Sequence, residues 1–202
     1  MRVGWMGLVM ALAMPLSAQG VDEASFRGDP KKLAATFAER ARILKPNDSR
    51  HLAALGRAFL ANGERRKAEE VFLQAKVLDA KDGETHRLIM AAWLRSGQKT
   101  EALKALDDMQ LLDPKNRKVF AKGAVDLLEA GLDRPAQDLM ERAWALDTGD
   151  WEPCLAFVRA ALRKHRPDIA AKWSSRAVIM KPQEERLWRE LALAYADGGA
   201  ER

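Results

Sequence analysis

Ala34, Ala68, Ala102, Ala136 and Ala170 stand 34 residues apart without exception. A fixed period of this length restricts a chain to architectures in which one supersecondary unit stacks on copies of itself. Other residues keep the same period. Seven residues after each alanine come Ala41, Ala75, Met109, Ala143 and Ala177, and three later Leu44, Leu78, Leu112, Leu146 and Met180. Two beyond those stand Pro46, Ala80, Pro114, Thr148 and Pro182. Five residues before the alanine lie Gly63, Gly97 and Gly131; His165 breaks this series and Gly199 restores it.

Each unit reads as two helices. From Ser49, apolar Leu52, Leu55 and Phe59 recur at spacings of three and four, Gly63 interrupts, and Ala68, Val71, Phe72, Ala75 and Leu78 resume the pattern. Asp48 or Ser49 suits an N-cap, Gly63 a C-terminal turn, and Pro114 and Pro182 a stop after the second helix. Pro30, Pro135 and Pro167 fall near the starts of second helices, where a missing N–H costs nothing. No segment alternates long enough to argue for a strand, so an all-α fold is expected.

The units resemble the tetratricopeptide repeat family. Its large and small positions are filled in the Ser49 unit by Leu52, Leu55, Phe59 and Phe72 with Gly56, Ala68 and Ala75. The Gly83 unit supplies His86, Ile89, Trp93 and Leu106 with Met90, Ala102, Met109 and Pro114. The Arg117 unit supplies Phe120, Gly123, Leu127 and Met140 with Ala124, Ala136 and Ala143. The Trp151 unit departs most, with Cys154, Phe157, Ala161 and Ser174, yet keeps Ala170, Ala177 and Pro182. Another begins at Glu185 with Trp188, Leu191, Ala192 and Tyr195. The resemblance implies a right-handed superhelical solenoid of antiparallel helix pairs: a half unit over 30–48, units over 49–82, 83–116, 117–150 and 151–184, and an incomplete one over 185–202. In register the next small residue would be 204, so the sequence is expected to be a fragment cut within its fifth full unit. Met90, Met109 and Gly123 depart from type together, which suggests soft methionines filling the space a small residue leaves.

Residues 1–20 have the layout of a secretory signal peptide: Arg2, an apolar run from Val3 to Met14, then Pro15 and small residues. Cleavage is expected after Ala18 or Gly20, with 21–29 as a linker, and the product is expected to be periplasmic or secreted. The apolar run is shorter than the roughly 18–20 residues a membrane span needs, so no integral span is expected in the mature chain. A single cysteine, 48% apolar residues and 31% charged residues exclude a disulfide scaffold and a disordered chain.

In this family the first helices line a concave face. Carried onto this chain, the groove positions supply Arg50, Arg57, Arg87, Arg95, Lys118, Arg159, Arg163, Arg186 and Arg189 against Glu84, Glu129 and Glu152. Nine bases to three acids is a bias when the whole chain holds 34 and 29. Leu60, Leu94, Leu128 and Leu162 add an apolar stripe. The resemblance therefore implies a groove for a protein or peptide segment with acidic and aliphatic side chains, arginine supplying carboxylate contacts. The opposing reading makes the arginines a solvated face and the leucines packing residues. The family's carboxylate-clamp variant needs asparagine at groove positions, whereas Asn47, Asn62 and Asn116 all fall in turns.

No enzymatic chemistry is expected. His51, His86 and His165 have no second ligand at helical spacing, so neither metal nor cofactor is expected, and His86 reads as a packing residue. Cys154 reads as a buried small hydrophobe, and adjacent Asp107 and Asp108 point in different directions. A net charge of +5 with interleaved acids disfavours nucleic acid, and the register and the export signal count against the RNA-binding helical repeats of similar period. The expected function is a scaffold or assembly adaptor; the alternatives are a docking module of a larger enzyme or envelope machine continuing past residue 202, and self-association through exposed end helices.

Overall fold

A computed structural model describes residues 26–147 and 149–199. Residues 1–25, which hold the expected signal segment, its cleavage site and the start of the expected linker, Thr148 and residues 200–202 lie outside the described residues. Among the described residues there are ten α-helices and no strand: α1 (Pro30–Leu44), α2 (Ser49–Ala61), α3 (Arg65–Leu78), α4 (Gly83–Arg95), α5 (Lys99–Leu112), α6 (Arg117–Glu129), α7 (Asp133–Leu146), α8 (Glu152–Arg163), α9 (Pro167–Met180) and α10 (Glu185–Gly199). None is long and apolar enough to cross a membrane.

Short polar side chains start the first helices. Asp48 Oδ1 accepts from His51 N at 2.9 Å, Asp82 Oδ2 from Thr85 N at 3.1 Å, and Asn116 Oδ1 from Val119 N at 3.2 Å. Asp48 rather than Ser49 is therefore the cap of α2. Pro30 and Pro167 open α1 and α9, and Pro135 falls in the first turn of α7.

The turns that join α2 to α3, α4 to α5 and α6 to α7 pass through Gly63, Gly97 and Gly131 at φ 75–78°. In each, the glycine N–H donates to a leucine carbonyl (Leu60, Leu94, Leu128) and the next residue's N–H donates back to Phe59, Trp93 or Leu127. This double closure satisfies carbonyls that the helix end would otherwise leave free. The α8–α9 turn closes identically through His165 and Arg166, with His165 at φ 53°. A side chain in this left-handed region costs roughly 1–2 kcal/mol. Tertiary packing thus imposes the glycine conformation where the sequence has lost its glycine.

Packing follows a simple rule. Each of α2, α4, α6 and α8 pairs with the helix that follows it, and α2, α4, α6, α8 and α10 also contact one another in succession, with α1 against α2. The periodic alanines sit where the layers meet: Ala68, Ala102, Ala136 and Ala170 have no exposed surface. Ala34, on α1 with no helix pair before it among the described residues, is only half-buried. Gly56 and Gly123, both buried in first helices, differ in what a side chain would meet. A Cβ on Gly56 would stand 2.0 Å from the Phe72 ring, whereas one on Gly123 would meet only methyl ends: Leu139 Cδ2 at 3.1 Å, Met109 Cε at 3.3 Å and Met90 Cε at 3.4 Å. The methionines do fill the space beside Gly123, as their co-occurrence in the sequence suggested. His86 is buried with Nε2 2.9 Å from the Ala80 carbonyl oxygen, consistent with a packing role. Trp173, fully buried, packs edge-on to Trp144 and Phe157 with the Arg176 guanidinium 4.6 Å from its ring centre.

Candidate functional site

Stacking of α2, α4, α6, α8 and α10 leaves a row of clefts between successive helices. The α2–α4 cleft is lined by Arg57, Leu60, Ala61, Ala92, Arg95 and Ser96 together with Lys31. Ala91, Leu94, Arg95, Asp126, Glu129 and Ala130 line the α4–α6 cleft. The roomier α6–α8 cleft, about 430 Å³, has Ala121, Val125, Pro153 and Ala156 as its apolar part, with Arg87, Arg117, Lys118, Lys122, Asp126, Asp150 and Glu152 around it. Between α8 and α10 lie Arg159, Leu162, Arg163, Ala194, Asp197 and Gly198. There Gly198 permits the approach, because a Cβ on it would stand 2.7 Å from Leu162 Cβ. Most of the apolar lining is alanine, and small side chains on facing helices leave a hollow. The leucines behave unequally. Leu60 and Leu162 are half-buried, Leu94 is 8% exposed, and Leu128 has no exposed surface and belongs to the core.

Six of the nine bases, Arg57, Arg87, Arg95, Lys118, Arg159 and Arg163, line these clefts, and seven of the nine are ion-paired. Arg50 forms a fork with Asp82, Nε to Oδ2 at 2.7 Å and Nη2 to Oδ1 at 2.6 Å. Arg87 donates to both Glu84 oxygens at 2.8 and 3.0 Å and to Asp126 Oδ2 at 2.5 Å. Arg95 lies 4.0 Å from Asp126 Oδ1. Arg159 meets Glu190 and Arg163 meets Glu129, both at 2.5 Å. Arg186 reaches Glu152 at 3.1 Å and lies over the Trp151 ring, and Arg189 reaches Glu185 at 3.0 Å. Arg57 and Lys118 are exposed and have no hydrogen-bond or ion-pair partner among the described residues. Lys122 touches Glu84 only at 3.4 Å.

The partners come mostly from one unit away: Asp82 is 32 residues from Arg50, Asp126 is 39 from Arg87, Glu190 is 31 from Arg159, and Glu129 is 34 from Arg163. These acids complete the site, and a count of groove positions alone misses Asp82, Asp126 and Glu190. The signal that finds them is an acid about one period away from each arginine.

Burial separates two of the carboxylates. Hydrogen bonding from Arg50 holds Asp82 down at about 2. Asp126 is instead pushed up by burial, which outweighs the attraction of Arg87. Arg87 stays above its usual range because Glu84 and Asp126 together overcome its own desolvation. The Glu84–Arg87–Asp126 cluster, each side chain at most 15% exposed, ties α4 to α6. Opening it to admit a ligand leaves buried charge uncompensated.

Cys154 is buried, and its thiol is pushed up to about 12 by that burial, a poor setting for a thiolate. Among the described residues no three His, Cys, Asp or Glu side chains are grouped to hold a metal ion. No family model matches the chain, and no curated protein matches it.

Proposed function

We propose that the chain is an exported array of tetratricopeptide-type 34-residue units, a right-handed superhelical solenoid acting as a non-catalytic scaffold or assembly adaptor. It docks a partner segment along the face built by α2, α4, α6, α8 and α10. The observation that carries this reading is the row of clefts between those helices, each with alanine in its lining and two of them bordered by Arg57 or Lys118. A helical or extended segment offers the alternating apolar and acidic groups that such a face accepts. Small apolar side chains occupy the hollows, and acidic ones meet Arg57 and Lys118, the two groove cations with no direct ion pair, Lys118 being attracted only at longer range by Asp150. Binding there breaks none of the ion pairs that join the units.

The test begins with a partner captured from envelope extract by the chain lacking its first 20 residues. Its bound segment, made as a peptide, is then titrated calorimetrically. Arg57→Glu with Lys118→Glu is expected to weaken binding about tenfold or more, near 1.4 kcal/mol, with helicity unchanged. Unchanged affinity overturns the reading. Arg87→Glu is the wrong probe, since it also breaks the link to Asp126 that joins two units.

A further inference from the structure

The two edges of the array differ in charge. Antiparallel pairing puts every turn from a first to a second helix, with the start of α1, at one edge and every turn from a second to a first helix at the other. The windows at the first edge, 27–33, 61–67, 95–101, 129–135 and 163–169, hold twelve bases and six acids, a surplus of six, whereas the whole chain's surplus is five. The equivalent windows at the other edge, 44–50, 78–84, 112–118, 146–152 and 180–186, hold eight bases and ten acids.

Ion pairing does not consume the surplus. All six acids are engaged: Asp29 caps α1, Glu64 meets Lys67, Glu101 meets Arg65, Glu129 meets Arg163, and Asp133 and Asp168 both meet Arg166. Lys31, Lys32, Arg66, Lys99, Arg134 and Lys164 are exposed and have no ion pair or side-chain hydrogen bond among the described residues. One helical turn further in, unpaired Glu70 and Asp138 stand against unpaired Lys104, and α10 ends with unpaired Asp197, so the cations stay in excess. Five of the six stand in the first turn of a second helix, and neither α1 nor α3 has an acid there. The helix dipole disfavours positive charge at that end. Cations kept against this local preference, with no partner inside the fold, mark a surface that meets something outside it.

We infer that this edge is a peripheral docking surface for an anionic phospholipid bilayer. The edge is continuous: Lys31 borders the α2–α4 cleft with Ala61 and Ser96, Arg65 bonds Glu101 at 2.8 Å, Arg95 and Glu129 share the α4–α6 cleft, and Arg166 meets Asp133. Helix steps of about 8–10 Å spread it over roughly 30–40 Å. The turns at 61–64, 95–98, 129–132 and 163–166 carry no aromatic residue, and half-buried Leu132 is their one aliphatic larger than alanine. A protein partner needs an apolar anchor at the centre of its interface, and these turns offer none. Lipid headgroups need only charge, and each Lys or Arg near an anionic surface is worth about fivefold in affinity. Of the surfaces that charge alone can hold, the proposed export sets the chain beside a bilayer rather than a nucleic acid, and the choice rests on that reading. Arg117, Lys118, Asp150 and Glu152, which line the roomy α6–α8 cleft, all belong to the opposite edge, so a bilayer-bound array keeps that cleft for its partner segment.

The purified chain lacking residues 1–20 is expected to co-sediment with phosphatidylcholine vesicles containing about one third phosphatidylglycerol at about 0.1 M salt. It is expected to leave pure phosphatidylcholine vesicles unbound and to be released as added salt screens the charges. Lys99→Glu with Arg134→Glu is expected to weaken partition at least about 25-fold, two lost cations at about fivefold each. Both substitutions place an acid in a helix's first turn, which favours the helix, so circular dichroism is expected to stay unchanged. Arg66→Glu with Lys164→Glu repeats the test at the other two turns. Lys81→Glu with Lys115→Glu makes the same change of net charge at the opposite edge and is expected to alter partition by less than about threefold. Four results overturn the inference: no binding to the anionic vesicles; equal binding to pure phosphatidylcholine; equal effects from the two edges; or a mixed-sequence DNA duplex held as tightly as the vesicles in the same buffer. Export is read separately, as loss of residues 1–20 from the chain made in cells. The groove peptide is expected to bind the Lys99→Glu with Arg134→Glu variant undiminished, so this inference and the groove reading fail separately.

Discussion

Gly56 on α2 and Gly123 on α6 both let a first helix approach its partner, yet what stands opposite differs in kind. Gly56 faces the Phe72 ring, which is 4% exposed and held edge-on against Trp93 with ring centres 5.3 Å apart. Gly123 faces the methyl ends of Leu139, Met109 and Met90. A ring locked by a second ring has no low-energy direction in which to move. A methionine methyl shifts by a few tenths of an ångström through rotation about three bonds. The same backbone spacing is thus reached once by rigid complementarity and once by soft filling, and a pattern of small and large residues specifies summed volume more than side-chain identity.

Three substitutions sharpen this contrast. Phe72→Ala removes the rigid element itself and is expected to destabilise by about 3–5 kcal/mol in urea unfolding, as large aromatic truncations in packed cores do. A loss under about 1 kcal/mol means that the ring is not a keystone of the α2–α3 layer. Gly56→Ala drives a methyl into that ring. Against a helix-propensity gain of about 1 kcal/mol, the net expectation is a loss of roughly 1–2 kcal/mol, read as a lower urea midpoint. Gly123→Ala, making the same chemical change, is expected to range from neutral to a gain of about 1 kcal/mol, because the methionines yield and the propensity gain survives. If the two alanine variants behave alike, the contrast between rigid and soft packing is wrong.

The candidate site teaches a related lesson about charge. The arginines of the first helices were legible as a series, and Arg57, Arg87, Arg95, Arg159 and Arg163 line the clefts between those helices. Their occupancy was not legible. Arg159 and Glu190 lie 31 residues apart and on different helices, and only the stacking of α8 on α10 makes them neighbours. A surface count of nine bases against three acids describes chemistry that the molecule has largely used to join its units. Arg57 and Lys118 remain, and nothing in their local sequence distinguishes them from the paired residues around them.

His165 marks the converse case. The sequence breaks the glycine series there, yet the chain turns as it does at Gly63, Gly97 and Gly131, with the same pair of backbone hydrogen bonds. Local preference opposes the conformation by roughly 1–2 kcal/mol, and the packing of α8 on α9 overrides it.

The sequence by itself determined the helices, their caps and stops, and the alanine positions at which layers meet, because these depend on residues within a few places of one another or on a strict period. Tertiary structure alone decided which groove cations lack an ion pair, that Leu128 is buried while Leu60 lines a cleft, and that Leu44, Val77, Leu111 and Ile179 stand open to solvent while Met180 packs on the core. Ion pairing and exposure depend on distances between helices separated by about thirty residues or more, and those distances exist only once the units have stacked.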